Sequence, residues 1–217
     1  MWINEPRAQR VLAERDLDGL FAATNIPNVF YLSGVWRRQD IAAIVTRDAV
    51  TAPWLVIPRG EVDYMVDTVP PAGVVTYGTF FRVMEDNVPL TEREQRIREI
   101  GIDLEPVKDF FEGIVRTLEN AGLDRSRLGY DERGLDPALA ERLKERLPHL
   151  ELVPAMSAFR EIRMVKSAAE IERMTEAVRV TEQSIYEAAH EAREGMTEAR
   201  CASPSTSGRC GVAPSPT

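Results

Sequence analysis

Apolar positions change period repeatedly along the first 160 residues, and the changes delimit the elements. In "EPRAQRVLAERDLD", Val11 and Leu12 lie on one side of a charged segment, which predicts a helix stopped by Gly19. "GLFAAT" is a short uninterrupted apolar run, the pattern of a buried strand. "NIPNVFYLSG" predicts a turn and one or two helical turns ended by Gly34. "IAAIVTR" and "TAPWLVIPR" are apolar, β-branched runs separated by "DAV", which predicts neighbouring central strands. "GEVDYMVDTV" reads as a helix and "GVVTYG" as a strand. The charged middle, "EDNVPLTEREQRIREIGIDLEP", has no continuous apolar face and reads as an insertion or surface loop with a helical piece.

Regular patterning resumes at "VKDFFEGIVRTLENAG", where Phe110, Ile114 and Leu118 recur every fourth residue before Gly122. "RLGYDE" predicts a strand, "DPALAERLKERLP" a helix with Pro137 in its first turn, and "LELVPAMS" the last strand. Alternation of strand and helix predicts an α/β fold, a mixed sheet with helices on both faces. From Ser167 the pattern becomes a single long helix. Ser167 and Glu170 have capping-box spacing, and Ile171, Met174, Val178, Thr181, Ile185 and Ala188 step by three or four residues as one stripe. At 1.5 Å per residue that helix is roughly 40 Å long, more than a small α/β domain needs to cover its sheet.

Composition changes the picture only at the C-terminus. The 217 residues are 44% hydrophobic and 29% charged, with a net charge of −8, which argues against a nucleic-acid or anionic-membrane surface. The three lysines and 24 arginines are interleaved with acids. No 18-residue apolar window and no secretory leader is legible, so a cytoplasmic location is expected. Beyond Gly195 the chain turns to Ser, Pro, Ala, Gly and Arg and holds both cysteines, Cys201 and Cys210. A frame shift or truncation near residue 199 or 200 predicts that change; a natural Ser/Pro-rich tail is the alternative.

Two stretches carry a family resemblance. "NIPNVFYLSG" is similar to the "P-x-N-x-x-Y-L-x-G" segment of the creatinase/prolidase-type N-terminal domain. "FREIRMVKSAAEIERMTEAVRVTEQSIYEAAHEAREGMTE" resembles that family's "R-x-x-K-[ST]-x-x-E-[IL]" junction, the first helix of its catalytic "pita-bread" domain and the "G-x-T-E" stop. The resemblance implies a creatinase N-terminal-like domain over residues 1–158, a linker and first catalytic helix over 159–198, and an aberrant or disordered tail over 199–217. It implies the front of an Xaa-Pro dipeptidase or aminopeptidase, or of a relative acting on a small zwitterion such as creatine. It also implies a homodimer, and a dinuclear Mn, Co or Zn centre held by two Asp, one His and two Glu. After Gly195 there is no His, no Asp and only Glu198, so that centre is expected to be absent and the chain inactive. A non-catalytic dimerisation or interaction module is the other reading.

Several side chains compete for functional roles. In relatives, loops of this domain reach the neighbouring subunit's active site, which makes Trp36, Arg37 and Arg38 candidates to grip a substrate carboxylate bidentately. Against this, Trp36 caps the core and both arginines are solvated. Phe80, Phe81 and Arg82 form a weaker candidate of the same kind. Asp131 and Glu132 close a strand where α/β folds place functional carboxylates, or they are an ordinary polar loop. His149 and His190 read as surface residues. No glycine-rich phosphate loop and no G-x-S-x-G elbow occurs.

Overall fold

The computed structural model describes residues 3–36, 40–68, 71–84 and 88–199. They fall into two compact units divided between Ser167 and Ala168. In the first unit, strands β1 (Gly19–Ala23), β2 (Ala42–Thr46), β3 (Trp54–Pro58), β4 (Gly73–Tyr77), β5 (Arg127–Tyr130) and β6 (Glu151–Pro154) form one sheet ordered β4-β3-β2-β1-β5-β6. β2 runs antiparallel to both β1 and β3, and every other pairing is parallel.

The central strands are apolar throughout because both faces of the sheet are covered. β1 sends Leu20 and Ala22 into one core layer and Phe21 and Ala23 into the other. The register pairs Leu20 with Val45 and Phe21 with Ile44, so each layer continues across the strands. Helices α1 (Glu5–Glu14), α2 (Ile26–Ser33) and α6 (Met156–Met164) supply the first layer with Val11, Leu12, Leu32, Phe159 and Ile162. Helices α4 (Phe110–Asn120) and α5 (Pro137–Arg146) supply the second with Phe111, Ile114, Leu118 and Leu143. The expected α/β fold with helices on both faces is thus the one observed.

Three local expectations change. Residues 60–69 form no α-helix. A 3₁₀ helix spans Arg59–Tyr64, and Val62, Met65 and Val66 turn into the core. Thr68 closes that turn with two hydrogen bonds to the Met65 carbonyl, and Pro70 and Pro71 lack the N–H groups a longer helix needs. The charged middle is anchored rather than loose. Helix α3 (Glu92–Arg98) opens on a Thr91–Glu94 capping box and runs into a wide π-turn, Glu99–Asp103. There the Arg59 guanidinium donates to the carbonyls of Gly101 at 2.8 Å and Ile102 at 2.7 Å. Finally, residues 159–164, read from sequence as linker, complete α6, because Phe159 and Ile162 are needed to fill the core.

The second unit holds helix α7 (Ala168–Glu191), 24 residues with no buried side chain. The tail's two cysteines lie outside the described residues.

Candidate functional site

Parallel strands leave their carboxyl ends on one side of a sheet, where loops gather. Here that side is formed by the ends of β1, β3, β4, β5 and β6 and by the chain entering β2. Two groups of side chains stand there.

Asp131, directly after β5, organises the first. Its carboxyl group is fully buried. Oδ2 accepts from the Asn25 and Asn28 amides at 2.6 and 2.7 Å, and Oδ1 from the Arg133 backbone N–H at 3.0 Å. The Asn28 oxygen in turn accepts from Arg163 Nη1 at 2.9 Å, and the Arg163 guanidinium lies over the Tyr31 ring, 5.5 Å from its centroid. A buried carboxyl group therefore fixes an asparagine, which fixes an arginine. Thr24, held at a positive φ of 56°, donates its hydroxyl to the Gly134 carbonyl and closes the turn between β1 and α2. Asn25, Asn28, Arg133, Met156 and Arg163 line a cleft of about 390 Å³. A guanidinium oriented in this way suits an oxyanion.

The sequence motifs already contained Asn28 and Arg163, as the Asn of "NIPNVFYLSG" and the Arg that opens "RMVKS". Their meeting across 135 residues was not legible. Glu132, paired with Asp131 in the sequence reading, has a different role. Its Oε2 accepts from the Ala155 and Met156 N–H groups at 3.1 and 2.9 Å and caps the start of α6.

The second group lies toward β4. Trp36 follows the left-handed Gly34 that ends α2, and its indole meets Phe30 edge-on at 5.4 Å while 61% of the residue stays exposed. Arg37 and Arg38 lie outside the described residues. The Tyr77 hydroxyl donates to the Asp40 carbonyl at 2.8 Å, tying the end of β4 to the chain entering β2. Burial, with Asp40 and Glu61 nearby, pushes this phenol up to about 12. Arg82 is committed elsewhere: it grips Asp63 bidentately at 2.7 and 2.8 Å. That grip holds the Asp63 carboxyl below its usual range and raises the guanidinium. Phe80 packs beside Gly60, whereas Phe81 is 91% exposed.

The two-metal centre implied by the family resemblance needs converging carboxylates and an imidazole. Among the described residues no three His, Cys, Asp or Glu side chains come together. His149 is exposed, and His190, on α7, stacks on Tyr186 at 5.1 Å. The described donor set does not fit such a centre. Among the same residues no helix is long and apolar enough to cross a membrane.

Comparison with known proteins agrees with this architecture. The family model for the creatinase/prolidase N-terminal domain matches residues 6–165. No curated protein sequence matches significantly. Among solved structures, the prolidase of Pyrococcus horikoshii OT3 is similar at 18% identity and a TM-score of 0.55, covering 91% of this chain and 45% of its own. The X-Pro aminopeptidase of Thermotoga maritima MSB8 is similar at 16% identity and a TM-score of 0.59, covering 92% and 46%. A proline dipeptidase structure from Streptococcus pneumoniae, at 15% identity and a TM-score of 0.50, is covered over 99% of its length by 76% of this chain. This chain thus spans under half the length of the first two. With 160 consecutive residues matched to one family model on a sheet of the same fold, the chain belongs to the creatinase/prolidase N-terminal domain family.

Proposed function

We propose that this chain is the N-terminal portion of a cytoplasmic, Xaa-Pro peptidase-like metallohydrolase. Hydrolysis next to proline is then performed by a metal-bearing catalytic domain that the described residues do not provide. The observation that carries this reading is the unbroken family match over residues 6–165. On this reading the chain forms a homodimer in which Trp36, with Arg37 and Arg38, contributes one wall of the neighbour's substrate pocket. Trp36 supports it by keeping most of its indole in solvent although Phe30 braces it from one side.

The purified chain, given an Xaa-Pro dipeptide and Mn²⁺, is expected to release no proline above a protein-free blank. Turnover by the chain itself overturns the assignment of catalysis to another domain. Sequencing of the coding DNA past codon 190 is expected to show a frame that carries the Asp, Asp, His, Glu, Glu ligands. If no frame does, the hydrolase reading fails. A non-catalytic binding module then stands, and the Streptococcus pneumoniae structure, nearly all of which this chain covers, supports that second reading.

A further inference from the structure

The outer face of α7 is organised for one kind of neighbour. Ile171, Met174, Val178, Thr181, Ile185 and Ala188 follow strict alternating steps of three and four, the spacing of a two-stranded coil. Ile171, Met174 and Val178 are each 55% exposed and Ile185 is 64% exposed. Written as heptads from Ile171, the three a positions are Ile171, Val178 and Ile185. All are β-branched, the preference of parallel dimers, while the unbranched Met174 opens the d series.

The flanking positions favour the same partner. Thr175, Ala177, Ser184 and Ala189 are short and allow close approach of a second helix. The polar ladders of α7, Arg179 with Glu176 and Gln183 with Glu187, stand on the outer side. The hydroxyls at or beside the seam are already satisfied. Thr175 donates to the Ile171 carbonyl, Thr181 to Ala177 and Ser184 to Val180, at 2.8–2.9 Å. Covering them leaves no donor unmet.

Charge selects the orientation. In a parallel pair Glu170 faces Thr175, Ala177 faces Glu182 and Ser184 faces Ala189, so no like charges oppose each other. An antiparallel pair sets Glu170 against Glu191. We infer that α7 is a self-association helix, pairing in parallel and in register with α7 of a second copy of this chain. This gives the proposed homodimer a surface, but it does not depend on the hydrolase reading; a failed pairing leaves the family and its chemistry where they stand.

Sedimentation of the intact chain over a hundredfold concentration range is the test. The expected result is a monomer–dimer equilibrium that Val178→Lys weakens at least tenfold and that Tyr186→Lys, on the outer side, leaves unchanged. With Cys201 and Cys210 replaced by serine, Met174→Cys is expected to form an intermolecular disulfide by itself. A chain that stays monomeric throughout overturns the inference, whatever becomes of the variants. So does a dimer that Val178→Lys does not weaken. Disulfide formation only when Met174→Cys and Ile185→Cys chains are mixed overturns it too, because that result marks an antiparallel pair.

Discussion

Single side chains at the carboxyl end of the sheet divide into those that hold the fold and those left to act. Asp63 and Arg82 belong to the first group. The Arg82 guanidinium keeps the Asp63 carboxyl below its ordinary value, so the native state binds that proton less readily than the unfolded chain. The pair's contribution is complete above about pH 4 and is lost as the pH falls through the folded-state value. Asp63 is 39% exposed, which limits the effect to about 1 kcal/mol. Asp63→Asn is therefore expected to lower the urea midpoint at pH 7 and to converge with the parent chain below about pH 3. An equal gap at both pH values would show that geometry, and not charge, is what Asp63 contributes. Arg82 was a candidate substrate ligand from sequence because "TFFRV" is a loop with an arginine. Its partner, 19 residues earlier, was invisible without the fold.

Among the elements, α4 shows how local preference yields to packing. Glycine inside a helix costs about 1 kcal/mol relative to alanine. Yet a Cβ on Gly113 would stand 2.5 Å from Val56 Cγ1, on the central part of β3. Gly113→Ala is expected to destabilise the chain by about 1–2 kcal/mol despite its better helix propensity, because the overpacking exceeds the gain. Adding Val56→Ala restores room, so the two substitutions together should cost less than their sum. A stabilising Gly113→Ala would mean that α4 can shift off β3. The periodicity of Phe110, Ile114 and Leu118 predicted this helix correctly because one apolar face suffices to define it. The 60–69 segment misled for the opposite reason: Val62, Met65 and Val66 suit a helical face, but the chain must turn sharply after β3 to bury them.

At the scale of the whole molecule, the buried core ends at Ile162, and nothing in α7 is buried. Residues 1–167 alone are expected to unfold in one cooperative transition, with a midpoint within about 3 °C of the full chain's. Loss of that transition would show that residues beyond 167 complete the core. The candidate site was half legible at this scale. "P-x-N-x-x-Y-L-x-G" and "R-x-x-K" supplied Asn28 and Arg163 as motif letters, and Asp131 stood at the right end of a predicted strand. Their convergence follows from β5 lying beside β1, a parallel pairing between strands more than 100 residues apart.

Sequence by itself determined the class of fold, the family and most element boundaries. Each of these is set by local periodicity, by helix-stopping glycines or by short motifs, and local interactions decide them wherever an element lies. Only the tertiary structure decided the strand order, the burial of Asp131 and the commitment of Arg82 to Asp63. It also decided that residues 159–164 belong to the core. Those outcomes depend on which distant surfaces meet, and no window of sequence contains both sides of such a contact.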